Sequence, residues 1–129
     1  MFNVPMSRIS LDPRHEPFID EATLSDIFDE LGAEHSRQMM LMVERDARKR
    51  LLSLGDCVAR RDSRAIHAHA HALAGLLGHF GFARAAACAR ALEKNQDEAA
   101  GWLELLQWAS DQAFQIVSGR IETSPRRAA

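Results

Sequence analysis

The chain has 129 residues, 47% of them hydrophobic and 26% charged, with a formal net charge of -2. That suits one soluble globular domain, is too short for two hydrophobic cores, and lacks the basic excess expected of a nucleic-acid binder. Cys57 and Cys88 fit neither a zinc spacing nor a disulfide framework, so both are expected to be reduced in a cytoplasmic protein.

The opening segment, MFNVPMSRISLDPRHEPF, carries three prolines and no uninterrupted apolar stretch. It reads as neither a signal peptide nor a membrane anchor, and residues 1–17 are expected to form an irregular lead-in. Asp20 suits the N-cap of a short helix in which Leu24, Ile27, Phe28 and Leu31 recur at helical spacing, and Gly32 is expected to stop it. A longer helix follows from about Ala33 to Arg60. Its expected apolar stripe is Met39, Met42, Val43, Ala47, Leu51, Leu54 and Val58, interrupted by Arg50, with Arg37, Arg45, Arg48 and Lys49 on a solvated face.

Asp62 or Ser63 caps a third helix running to about Gly78. Phe82 to Asn95 makes a fourth, with Ala85, Cys88, Ala89 and Leu92 inward. Asp97 opens a fifth, in which Trp102, Leu105, Leu106, Ala109, Ala113, Ile116 and Val117 keep the 3-4 spacing. Residues 123–129 are expected to be a flexible tail. With no tyrosine, few valines and no convincing alternation of apolar and polar residues, strands are not expected. The predicted fold is all-α: an antiparallel up-down four-helix bundle over residues 18–122, with a short additional N-terminal helix.

The third helix carries the chemistry. Residues 67–81, HAHAHALAGLLGHFG, hold four of the six histidines. With Ile66 as the origin and about 100 degrees per residue, Ala70, Leu73 and Leu77 fall within roughly 40 degrees and form the buried stripe. His67 lies at about 100, His71 at about 140 and Gly75 at about 180 degrees, whereas His69 falls at about 300 on the other flank. His71 is therefore expected on the surface, with Gly75 one turn later. A residue without a side chain beside an imidazole leaves the ring open to a bulky reactant. Gly81 reads as a helix C-cap or turn, and His79 as a helix-end or loop residue.

His71-Ala72-Leu73-Ala74-Gly75, then Phe80-Gly81, then Leu92-Glu93 resembles the signature of histidine-containing phosphotransfer (HPt) domains, roughly H-x-L-K-G followed by an apolar residue with G and a later L-E. Ala70 fits as well, and Phe18-Ile19-Asp20, Leu24 and Leu31-Gly32 resemble the entry into the family's first helix, so the likeness spans residues 18 to 117. It implies a phosphoryl-accepting histidine, here His71, that exchanges phosphate with aspartates of receiver domains in response regulators or hybrid histidine kinases. Imidazole nitrogen is a competent nucleophile when neutral. Phosphoryl transfer otherwise needs positioning and charge neutralisation, typically with Mg²⁺. The chain shows no P-loop, kinase signature or acidic metal cluster, so no cofactor of its own is expected and the receiver is expected to bring the Mg²⁺.

The family usually has lysine three residues after the histidine, where this chain has Ala74; Leu76 and Leu77 replace small residues. Arg64, His67 or Arg84 is expected to substitute for the missing cation, and a lysine placed at 74 is expected to lie on the surface within reach of the phosphoryl group. Arg64, His67, Ala74, Gly75 and Gly78 are the expected phosphate-neighbouring and partner-facing residues. Starting at Met1 and carrying no kinase or receiver segment, the chain is expected to be freestanding, cytoplasmic and monomeric, with no membrane or nucleic-acid partner. Two other readings compete. A degenerate bundle would bind receivers without exchanging phosphate. A metal-binding protein would use the alternating histidines, of which only His67 and His71 could share an ion on a helix.

Overall fold

The structure is a computed structural model that describes residues 12–123. The expected tail beyond Thr123 and the first eleven residues of the lead-in lie outside the described residues. Four α-helices carry the fold: α1 (Glu21–Arg60), α2 (Ser63–His79), α3 (Ala83–Lys94) and α4 (Ala99–Thr123). Short 3-10 turns at Pro13–His15 and Gln96–Glu98 flank them, and there is no strand among the described residues.

Asp20 caps α1 as its side chain accepts from Thr23 N–H, and Asp62 caps α2 by accepting from Ala65 N–H. Both use a short carboxylate to satisfy a donor that the first helical turn leaves orphaned. Gly32 stops the first helical segment, as expected, and α1 is two helices joined across a kink. It takes φ 79 and ψ 165 inside α1, a conformation essentially confined to glycine, and the helix resumes at once. The chain therefore kinks there, and residues 21–31 cross the end of the bundle. They are held by Asp20 N–H donating to Gly81 O at 2.8 Å and by Arg120 paired with Glu21. Gly81 sits at φ 87 after α2, where a Cβ would come within 3.3 Å of Asp20 O. Turn geometry and close approach both demand glycine.

After the kink α1 runs antiparallel to α4. Arg48 joins Glu44 on its own helix to Asp111 on α4, each at 3.0 Å. The buried stripe of α1 is Ser36, Met40, Val43, Ala47, Leu51, Leu54 and Cys57. Met40 rather than Met42 belongs to the core: Met40 is 5% exposed and Met42 57%. Arg50 is exposed and directed at His69, not part of the stripe.

On α2, Ile66, Ala70, Leu73 and Leu77 are all buried, as the helical angles require. Burial of each leucine is worth about 1.5–3 kcal/mol, which holds this helix in one rotation about its axis. Ala85, Ala86, Cys88, Ala89 and Leu92 form the buried face of α3, and Leu106, Ala109, Ala113, Phe114 and Val117 that of α4. Both cysteines are buried and free, and burial pushes the Cys88 thiol up to about 11. Residues 12–17 also pack: Pro13 is buried, and Arg84 N–H donates to Pro17 O at 2.9 Å. No helix among the described residues is long and apolar enough to cross a membrane.

Candidate functional site

The side chain of His71 is 76% exposed at the middle of α2. Long helical side chains lean toward the helix N-terminus, so the ring lies over the turn that carries His67. The two rings stack nearly parallel, 5.9 Å apart at 12 degrees. Each turns its Nδ1 to the same atom, Glu93 Oε2 of α3, at 3.2 Å. Glu93 is only 15% exposed, so this carboxylate stands at the rim of the α2–α3 seam with little freedom to swing away.

That contact orients the ring and favours one tautomer. A carboxylate can only accept, so the imidazole nitrogen facing it carries the proton. The Nδ1–H of His71 donates to Glu93, and the Nε2 lone pair remains on the solvent side. The ring is thus oriented, held in one tautomer and left with its nucleophilic nitrogen outward.

Gly75 follows one turn later. It is exposed, and a Cβ built there meets nothing within 4 Å. The space beside the histidine is open, as the spacing predicts. Gly78 lies further along the same flank, but it faces α3. A Cβ there would be 3.6 Å from Ala86 Cβ and 3.9 Å from Arg90 Nη1, ordinary contact distances that an alanine could also make.

Ala74 sits between these two contacts and is only 7% exposed. It belongs to the seam with α3, against the expectation of an open surface position, and a lysine placed here would begin inside that seam. Arg64 and His67 are both exposed on α2. Arg84 is not near the histidine. Its Nε donates to Glu16 O at 2.7 Å and its guanidinium lies 4.1 Å over Phe18, so it straps the N-terminal segment to α3. That removes it from the possible substitutes for the missing cation.

His69 is turned to the opposite flank, with Nδ1 3.4 Å from Arg50 Nη1 of α1. The three alternating histidines therefore do not converge, and among the described residues no group of three His, Cys, Asp or Glu is placed to hold a metal ion. His79 ends α2, its ring edge-on to Phe80. An apolar groove of about 250 Å³ lies elsewhere, lined by Met40, Leu41, Phe82, Phe114 and Val117 among others, none of them on α2.

Glu93 is the residue that sequence reasoning missed as a site member. The signal for it was present: Glu93 is seven residues after Ala86, so it shares the seam-facing side of α3. A carboxylate in that register of an alanine-rich helix needs a partner across the seam.

The sequence model of the Hpt domain family matches residues 38–121. No curated protein and no solved structure matches the chain.

Proposed function

We propose that this chain, which belongs to the Hpt domain family, is a phosphoryl carrier that uses His71 to move phosphate between receiver-domain aspartates. The Nε2 lone pair attacks phosphorus of a receiver's aspartyl phosphate, the P–O bond breaks, and its electron pair returns to the aspartate carboxylate. Donation to a second receiver is the same step in reverse. The receiver supplies Mg²⁺ to neutralise the transferring group, and this chain supplies an oriented nucleophile without kinase activity of its own.

The observation that carries this reading is the hydrogen bond of His71 Nδ1 to Glu93 Oε2, 3.2 Å long, beside the open surface at Gly75. An idle surface imidazole has no need of a half-buried carboxylate to fix its tautomer. The partner approaches over α2, where exposed Arg64, His67 and Gly75 surround the ring.

The test is incubation with a labelled phospho-receiver. An acid-labile, base-stable label should appear on His71, be lost in His71→Gln and persist in His69→Gln. Phosphate on His67 or His79 of the parent protein would refute the assignment. A complex that forms without label would identify a receiver-binding adaptor instead.

A further inference from the structure

The phosphoryl group placed on His71 brings oxygens carrying about two negative charges, offset in part by a ring that becomes cationic while Nδ1 keeps its proton, beside a carboxylate that is already there. Ala74 brings no cation, and Arg84 is committed to Glu16 and Phe18. What stands next to the reactive ring is a second imidazole. His67 is parallel to His71, its ring centroid 5.9 Å away, with its Nδ1 3.2 Å from the same Glu93 oxygen and its side chain 61% exposed. In both rings it is Nδ1, not Nε2, that lies beside the carboxylate.

We infer that His67 is the phosphoryl-binding partner of His71. As the group arrives on His71 Nε2, His67 takes one proton from solvent onto its own Nε2 and donates it to a phosphoryl oxygen. Its Nδ1 stays beside Glu93. Transfer of the phosphoryl group to a receiver returns that proton to solvent. The inference rests on the phosphotransfer reading and adds a coupled proton to it.

The dimensions agree. A charge-assisted hydrogen bond takes about 2.7–2.9 Å. The rings are nearly parallel with centroids 5.9 Å apart, and a tetrahedral phosphoryl group bonded in the plane of one ring directs an oxygen out of that plane, to the side where the other ring lies. The charges agree as well. Glu93 faces His67 from α3, and the phosphoryl group would face it from His71. Arg64, one turn earlier on α2, and the phosphorylated His71 ring oppose a charge on His67, but these two positive charges stand against about three negative ones on Glu93 and the phosphoryl oxygens. From α1, Arg50 turns to His69 on the far flank. From the turn after α3, Gln96 contributes only a neutral amide, bonded to Ser63 O. Before phosphorylation that second anionic group is absent, so the proton arrives with the phosphate.

Phosphorylating the ¹⁵N-histidine-labelled protein with phosphoramidate, and with a phospho-receiver in parallel, tests this. Ring ¹H–¹⁵N spectra near neutral pH should show His67 changing from an Nδ1–H ring to a doubly protonated one only when His71 carries phosphate. Phospho-His71 should decay roughly threefold faster in His67→Gln, with the difference vanishing in alkaline buffer. In His67→Lys, a permanent cation should restore the lifetime across that pH range. His71 phosphorylated normally while His67 stays singly protonated and His67→Gln decays at the parent rate would overturn the inference and leave the phosphotransfer reading standing. No phosphate on His71 from either donor would overturn both.

Discussion

Gly75 separates the stability of α2 from its function. It lies in the helix interior, exposed, and a Cβ there meets nothing within 4 Å. Gly75→Ala therefore removes a helix-propensity cost of about 1 kcal/mol without creating a clash. For a domain of this size that is worth about 3 to 6 °C in melting temperature. Gly75→Phe gains roughly half as much propensity, so it should be at least as stable as the parent. Its ring, however, leans toward the helix N-terminus and falls over His71, four residues earlier. The space that a receiver's aspartyl phosphate needs is then filled. Urea unfolding measures the first effect, and the rate of label transfer from a phospho-receiver measures the second. The expected pattern is a stabilised Gly75→Ala that transfers near the parent rate, and a stable Gly75→Phe slowed more than about tenfold, a loss of at least roughly 1.4 kcal/mol. Gly75→Phe transferring at the parent rate would refute the idea that this opening is the route of approach.

Glu93→Ala should slow label uptake about fivefold, since a hydrogen bond of about 1 kcal/mol no longer fixes the His71 tautomer; Glu93→Gln, which keeps one acceptor oxygen, should fall between it and the parent. Ala74→Lys should cost about 1–3 kcal/mol in urea unfolding through overpacking of the seam, and should change phosphohistidine lifetime by no more than about fivefold. The side chain and backbone N–H of Arg14 hold the Asp12 carboxyl at about 2, below its ordinary 3.8. A carboxyl depressed on folding stabilises above its unfolded value. The support it gives the Pro13–His15 turn should therefore be present above pH 3.8 and lost as pH falls through about 2, which carboxyl ¹³C titration alongside the His15 ring signals would follow.

What could be read from the sequence was whatever a single helix decides by itself. The buried stripe Ile66, Ala70, Leu73 and Leu77 and the outward position of His71 follow from 100-degree steps, because each α2 neighbour relation lies within one helix. The same rule failed locally on α1. Residues 39–43 read Met-Met-Leu-Met-Val, and stepping back from Val43 by three or four residues gives Met40 or Met39 with equal propriety. The structure uses both: Met40 is buried and Met39 is partly buried against the core, while Met42 is exposed. Gly32 was legible as a break but not as a kink. The direction of residues 21–31 is set by distant partners, Gly81 and Arg120.

The site divides along the same line. The outward position of His71 and the open surface at Gly75 belong to one helix and were legible. The roles of Glu93, Ala74 and Arg84 depend on how α3 is set against α2, which no local period encodes. Small residues determine that setting: Gly78 faces Ala86, and Ala74 and Ala89 are buried with them. Without bulky side chains between them the two backbones approach closely, and a glutamate on the rim of one helix can then reach two imidazoles on the other at 3.2 Å. The alanines are as much a part of the site as the histidine, because they set the distance over which Glu93 acts. The family's lysine position, filled here by Ala74, has joined that seam. A cation at that position is therefore absent from α2, and His67 is the titratable group that lies against the His71 ring.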